Sequence, residues 1–269
     1  LDSMPVELAR LIGQTSLKKR LPQAELSVGE SARAVVLRVL DEPDQADLRS
    51  FEDFGREHGI DVYLQPGGPG TVRPLDSAAA KPLAYTLSEF GVTLTFAPTD
   101  FVQVNARINA AMVGRTAELL GVTASDRVLD LYCGLGNFSL PLASRAETVL
   151  GVEGEAGLVA RAAQNARSNS MQNAWFVTAD LSEPEWSFMR ESWDLIVLDP
   201  PRSGAHAVVT QMKRMGPRRI AYVSCHPATL ARDAKELVDG QGYRLRAAGI
   251  VDMFPHTRHV EAMALFERR

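Results

Sequence analysis

The sequence contains only two cysteines among its 269 residues, Cys133 and Cys225, far apart and each set in a distinctive local motif. A disulfide framework is therefore excluded as a source of stability, and a reducing cytoplasm is the expected home. No apolar run approaches the roughly 20 residues needed to span a bilayer. The first 20 residues lack the charged start, apolar run and small-residue cleavage site of a signal peptide. Positive charge is not in excess either, with 29 Lys+Arg against 33 Asp+Glu. The formal net charge is -4, unlike a protein that coats nucleic acid. There is no internal repeat and no low-complexity segment.

The acid excess is local. Residues 1–97 carry 10 Lys+Arg against 14 Asp+Glu, whereas residues 98–269 carry 19 of each. An RNA ligand would need local basic patches such as Lys18-Lys19-Arg20, or Lys213-Arg214 with Arg218-Arg219. Hydrophobic residues make up 45% of the chain, enough for a sizeable core.

The pattern of the chain changes near Pro98. Before it lies a small α/β unit, residues 1–97: a strand over Ala34–Leu40, a helix over Asp44–His58 ending at Gly59, a strand over Ile60–Leu64, and a hairpin of Tyr85–Leu87 with Val92–Phe96. After it, residues 98–269 alternate helices and strands. A helix spans Asn105–Leu120 and ends at Gly121. Strands follow at Arg127–Tyr132, Thr148–Val152, Ala174–Thr178, Leu195–Asp199 and Ile220–Ser224, with helices at Ala156–Ser168 and Pro227–Leu237. Apolar strands alternating with helices predict a mainly parallel, doubly wound α/β sheet. Tyr243–Val251 and Glu261–Phe266 have no helix between them and predict an antiparallel edge pair.

Chemistry-bearing residues gather where these strands end, the edge at which open α/β sheets bind ligands. Asp130-Leu-Tyr132-Cys-Gly134-Leu-Gly136-Asn137 reads as strand, glycine turn and helix start. Ser139 stands where a dinucleotide fingerprint has its third glycine, and Asp130 suits a cationic, methionine-type ligand. Glu153, 19 residues after Gly134, ends the next strand and can accept ribose hydroxyls; Asp180 ends the one after and can read an adenine amino group. Asp199-Pro200-Pro201-Arg202 forms a stiff turn that can present Asp199 to a planar polar ring. Cys225 follows the fifth strand, with a helix starting just behind it. A helix N-terminus, helped by His226 and Arg202, predicts a lowered thiol pKa. Glu261 opens an apolar strand, an unusual place for an acid unless it faces a site. Alternation predicts Phe101, Gln103 and Asn105 on one face, able to stack on and hydrogen-bond a base; a helix cap at Asn105 explains that residue equally well. His256-x-x-His259 has no third ligand at a recognised spacing, so no metal is expected.

Together, Phe101-x-Gln103-x-Asn105, Asp130-Leu-Tyr-Cys-Gly-Leu-Gly-Asn137-Phe, Asp199-Pro-Pro-Arg202, Ser224-Cys225-x-Pro227-x-Thr229-Leu-x-Arg232-Asp233 and Phe254-Pro-His256-Thr-x-His259-Val-Glu261 closely resemble the RNA uracil-5 methyltransferases. Tyr63-Leu-Gln-Pro-Gly-Gly-Pro69 resembles their bacterial 23S ribosomal RNA branch. The resemblance covers nearly the whole chain. It implies a Rossmann-like methyltransferase sheet with S-adenosylmethionine as cofactor and RNA, ribosomal for this branch, as substrate. It implies that Gln103, Tyr132, Gly134, Asn137, Glu153, Asp180 and Asp199 line the cofactor and uracil site. Cys225 is then the nucleophile and Glu261 the general base, with Phe101, Asn105, Arg202 and His259 on the substrate side. Members of the family usually begin with an OB-like RNA-binding domain and some carry a four-cysteine iron–sulfur cluster; neither is expected in these residues, where two cysteines cannot supply such a cluster.

Two other enzyme classes share parts of this pattern. RNA cytosine-5 methyltransferases resemble a two-cysteine arrangement with a cysteine directly after the Asp-x-Pro loop, where this chain has Arg202. A nicotinamide oxidoreductase needs the third glycine and has no use for Cys225 with Glu261. A non-catalytic RNA-binding or scaffold protein is opposed by the balanced charge and the full catalytic set.

Overall fold

The computed structural model describes residues 3–78, 80–183 and 186–269. The chain forms two compact units, residues 1–85 with 95–101, and residues 86–94 with 102–269.

In the first unit the order is α1 (Met4–Gln14), β1 (Gln23–Val28), β2 (Arg33–Arg38), α2 (Gln45–His58), β3 (Asp61–Gln65) and β4 (Arg73–Pro74). The strands form one sheet in that order. β2 and β3 are parallel, with Val35 beside Val62, and the two outer pairs are antiparallel. Helix α2 makes the crossover that a parallel pair requires. It starts at a reciprocal capping box between Asp44 and Asp47 and stops at Gly59, whose φ of 59° suits a residue without Cβ. Phe51 and Phe54 of α2 and Met4, Leu8 and Leu11 of α1 pack with Val35, Leu37, Val62 and Leu64. Neither α1 nor β1 was expected: β1 is half polar and paired on one side only, so neither periodicity nor burial marks it.

A hairpin of β5 (Leu83–Leu87) and β6 (Val92–Phe96) leads into the second unit. There follow α3 (Ala106–Leu120), β7 (Arg127–Leu131), α4 (Ser139–Ala143), β8 (Thr148–Glu153), α5 (Ala156–Ser168), β9 (Ala174–Thr178), β10 (Leu195–Leu198), α6 (His206–Val209), α7 (Met212–Met215), β11 (Arg219–Ser224), α8 (Pro227–Asp239), β12 (Tyr243–Val251) and β13 (Glu261–Arg268). Seven strands make one sheet in the order β12-β13-β11-β10-β7-β8-β9. The five from β11 to β9 are parallel, the doubly wound Rossmann-like arrangement.

Side chains on one face line up across this sheet. Leu129, Ile196, Ile220 and Phe266 form one row, and Val152, Leu131, Leu198, Tyr222 and Ala264 the next. Both rows are buried with Val208, Val209 and Met212 of the α6–α7 region and Leu237 of α8. Burying each large apolar side chain contributes about 1.5–3 kcal/mol, so these rows hold the strand ends in fixed register.

Two boundaries differ from the sequence reading with clear causes. Asn105 lies just outside α3 as its N-cap. Strand β7 ends at Leu131 because Tyr132 takes a φ of 66°, outside any strand conformation. The final pair is antiparallel, but only β12 is an edge. β13 inserts between β12 and β11 and runs against both. A period-2 pattern identifies a strand without saying where it inserts. Among the described residues no helix is long and apolar enough to cross a membrane.

Candidate active site

The glycine turn after β7 is held from two sides. Tyr132, Gly134 and Gly136 all have positive φ, 66°, 55° and 97°. Such a run bends the chain sharply at the end of the strand. Glu153, at the end of β8, accepts the Gly134 amide at 3.1 Å and the Gly154 amide at 2.7 Å. The carboxylate thus fixes the turn and keeps lone pairs for a ligand. Asn137 exchanges two hydrogen bonds of 2.9 Å with Asn109, a nearly inaccessible residue of α3. Sequence reasoning missed Asn109. Its signal was an amide at the head of the buried stripe Asn109, Met112, Val113, Thr116, Leu120. Ser139, in the place of a third glycine, donates to Asp130 at 2.5 Å.

Asp130 is fully buried, and that burial pushes its carboxyl up to about 7 despite the Ser139 bond. Its other oxygen, like Oε1 of Gln103, is a buried acceptor with no hydrogen-bond partner. Unsatisfied buried acceptors are rare in folded proteins and mark places where a ligand's donors belong. Asp180, after β9, is exposed. It accepts the Ser182 amide and hydroxyl, which hold its carboxyl below the ordinary range.

The same sheet edge carries the second cluster. The antiparallel register of β11 and β13 pairs Val223 with Met263 and Ser224 with Ala262. Carried one residue past the last pair, this register brings Cys225, just after β11, next to Glu261, whose charge acts on the thiol. Asp199 ends the neighbouring strand, β10. These groups feel one another. Asp199 keeps a narrow opening to solvent, but its enclosure pushes its carboxyl up to about 8, with further upward pressure from Glu261 and Asp130. Burial raises Glu261, only 4% exposed.

The Cys225 thiol lies above its ordinary value, contrary to the sequence expectation. Burial dominates, the charges of Glu261 and Asp199 add to it, and Arg202 pulls the other way. His226 is the N-cap of α8, where its Nδ1 accepts the Thr229 amide at 3.4 Å.

The substrate-side residues divide. Arg202 reaches His259, Nη2 to Nδ1 at 3.2 Å, and Phe254 packs edge-on against the His259 ring. Asn105 uses its side chain to cap α3, accepting the Ile108 amide at 3.2 Å. Phe101 is 74% exposed and belongs to the first unit. Residues 101–105 are not a strand, so the alternation that was to align Phe101, Gln103 and Asn105 does not hold. Two basic patches are also partly spent. Arg20 binds Asp41 at 2.6 Å, and Arg218 binds Asp126 at 2.5 and 2.9 Å.

The glycine turn after β7 thus has an acid on the next strand, β8, and the thiol after β11 lies beside an acid on the adjacent strand, β13. The family model described as tRNA (Uracil-5-)-methyltransferase matches residues 89–269. The chain belongs to that family.

As a member of it, the chain is similar to curated relatives over nearly its whole length. It is 51% identical over 265 residues to the 23S rRNA (uracil(1939)-C(5))-methyltransferase RlmD of Nitrosococcus oceani, covering 97% of this chain and 59% of that protein. It is 46% identical to the RlmD of Nitrosospira multiformis, covering 100% and 62%. The chain thus spans about three fifths of the length of these relatives. Among solved structures, the Pyrococcus abyssi tRNA (uracil-54, C5)-methyltransferase in complex with S-adenosyl-L-homocysteine superposes with a TM-score of 0.71 at 27% identity, over 90% of this chain and 58% of that one. The Pyrococcus horikoshii TYW2 structure shares the fold, with a TM-score of 0.60 at 14% identity over 94% of each chain.

This family member therefore gathers Asp130, Tyr132, Glu153, Asp180, Asp199, Arg202, Cys225 and Glu261 along one edge of its second unit. Tyr132 has its phenol raised by burial and by the charges of Asp233, Asp180 and Glu153, which places the tyrosine among them.

Proposed function

We propose that this chain carries the catalytic part of an enzyme that transfers a methyl group from S-adenosylmethionine to carbon 5 of a uridine in RNA, 23S ribosomal RNA in the cytoplasm, through a covalent adduct on Cys225. Residues 98–269 are the proposed catalytic domain. The observation that carries this reading is the β11–β13 register, which sets a thiol and a buried carboxyl on facing strand ends beside Asp199.

The turn fits the cofactor. The unpartnered acceptors of Asp130 and Gln103 suit a cationic, donor-rich ligand, and Glu153 retains lone pairs for ribose hydroxyls. Gln103, Tyr132, Gly134, Asn137, Glu153, Asp180 and Asp199 would hold it. When bound, S-adenosylmethionine supplies an electrophilic methyl group for carbon 5.

Carbon 5 of uracil is a weak nucleophile and needs activation. Cys225, as thiolate, adds to carbon 6 and leaves electron density at carbon 5 as an enolate. Asp199, neutral below about pH 8 in the free site, can donate a hydrogen bond to the polar edge of the base. Arg202 supplies the positive charge that favours the thiolate. After methylation Glu261 removes the carbon-5 proton. Its raised pKa makes it a better base than an exposed carboxylate, and elimination then frees Cys225. A paired base is out of reach of such a site, so the target is a loop or flipped nucleotide.

The test is a covalent trap. A 23S-derived hairpin carrying 5-fluorouridine, with S-adenosylmethionine, should give a denaturation-resistant protein–RNA adduct, because fluorine cannot leave as a proton does. The adduct should vanish in Cys225→Ala. An adduct that persists in that variant would remove Cys225 from the role.

A further inference from the structure

Behind the Asp199–Arg202 turn lies a buried polar cluster that the proposed chemistry does not use. Asp233 of α8 is fully inaccessible. Its Oδ2 accepts the Tyr222 hydroxyl at 2.7 Å and the Ala205 amide at 2.7 Å. Its Oδ1 accepts Nε and Nη2 of Arg232 at 2.9 and 2.7 Å, and the same Nη2 donates to the Ser203 carbonyl at 2.9 Å. Gly204 lies between the two gripped residues with φ 80°. A Cβ there would meet Arg232 Nη2 and Asp233 Oδ2 at 2.6 Å.

We propose that Asp233, Arg232 and Tyr222 form a positioning clamp that sets the Asp199–Arg202 turn over Cys225. The inference rests on the methyl-transfer reading of this site.

Three observations carry it. First, Pro200 and Pro201 donate no backbone hydrogen bond, so beyond the Asp199 amide on Leu131 and the Gly204 amide on Pro201 the turn is gripped from its far end, at Ser203 and Ala205. Second, the clamp and the nucleophile share one scaffold. Tyr222 lies on β11 three residues before Cys225, beside Leu198, the residue preceding Asp199. Helix α8, which carries Arg232 and Asp233, begins two residues after Cys225. Displacing the clamp therefore moves Asp199 and Arg202 relative to the thiol. Third, burying the Asp233 carboxylate is costly even beside Arg232, whose side chain stays 47% exposed, and an apolar side chain of similar volume often stabilises such a position equally well. A fully satisfied cluster here does what an apolar core would not: it fixes one backbone position by directed bonds. The charge of Asp233 is also felt by Tyr132 of the glycine turn.

The test uses the intact protein with Tyr222→Phe, which removes one hydroxyl and keeps the packing. Three quantities are read: single-turnover methyl transfer at saturating S-adenosylmethionine and hairpin RNA, S-adenosylhomocysteine affinity by calorimetry, and amide exchange of residues 203–205. We expect faster exchange at Ala205, a transfer rate lowered by about tenfold or more, and cofactor affinity within about twofold of the parent. Arg232→Lys, which keeps the charge and loses the fork, should fall between parent and Tyr222→Phe. Unchanged exchange, or faster exchange with an unchanged rate, overturns the clamp. So does a rate that falls only in step with cofactor affinity and melting temperature, which marks a purely structural role. A parent protein inert toward RNA would defeat the methyl-transfer reading and, with it, the catalytic part of this inference, while exchange would still report whether the grip exists.

Discussion

Asn109 and Asn137 hold each other head to tail through two amide hydrogen bonds of 2.9 Å, one residue on α3 and the other in the glycine turn. The pair orients the Asn137 amide before any ligand arrives. Removing Asn109 takes both of these hydrogen bonds from Asn137, at about 1–3 kcal/mol. Asn109→Leu should weaken S-adenosylhomocysteine binding by about tenfold or more in calorimetry. Unchanged affinity would show that Asn137 needs no such support.

Glu153→Ala removes the acceptor of the Gly134 and Gly154 amides along with the proposed ribose contact. Cofactor affinity should drop at least about tenfold, consistent with the loss of a charged hydrogen-bond acceptor. Calorimetry showing parent-like binding would refute the ribose role.

Glu261→Gln keeps the shape of the residue and removes the proposed base. Methylation should proceed while release stalls, so protein should remain attached to unmodified-sequence RNA on a denaturing gel. Rapid turnover by this variant would take Glu261 out of the mechanism.

The raised carboxyls predict a pH dependence of stability. Asp199 has a folded-state pKa of about 8 and Asp130 of about 7, both above the unfolded carboxylate value. Between the unfolded and folded values the unfolded chain has released protons that the folded chain still binds. Stability without ligand should therefore decline as pH rises from about 4 to about 8, through these groups, and level off above that. Asp199→Asn should flatten this slope in melting curves taken across the range. A slope identical to the parent would mean that Asp199 is not held neutral.

Gly204→Ala places a methyl group against the Arg232–Asp233 pair at a φ of 80°. It should lower stability by about 1–3 kcal/mol, from backbone strain and disruption of the pair. Denaturant titration reads this directly, and a neutral result would show that the turn has room to move.

What could be read before folding follows from where information resides in a chain. The parallel strands are short apolar runs ended by turn residues, so most of their boundaries agree with the structure to within one or two positions. Asp130, Glu153, Asp199 and Cys225 stood out because strand ends at one edge are where open sheets build sites. What stayed hidden depends on partners distant in sequence. The Asn109–Asn137 pair spans 28 positions, and Tyr222 with Asp233 reads as core plus a helical charge until Ala205 is brought to them. The direction of the Cys225 shift was misjudged for the same reason. The helix N-terminus is local and visible, whereas the burial of the thiol, and with it the opposing charges of Glu261 and Asp199, arrives only with the fold.

The insertion of β13 between β11 and β12 has a consequence for the order of assembly. β12 has no partner in the sheet until β13 is in place, and β13 alone brings Glu261 to Cys225. β12 can therefore join the sheet only with β13 or after it. The parallel strands β7 and β8 with the glycine turn carry the residues proposed for the cofactor, whereas Glu261, the proposed base, comes with the antiparallel pair. On the proposed roles, cofactor capture thus depends on the parallel part of the sheet and proton removal on its antiparallel part.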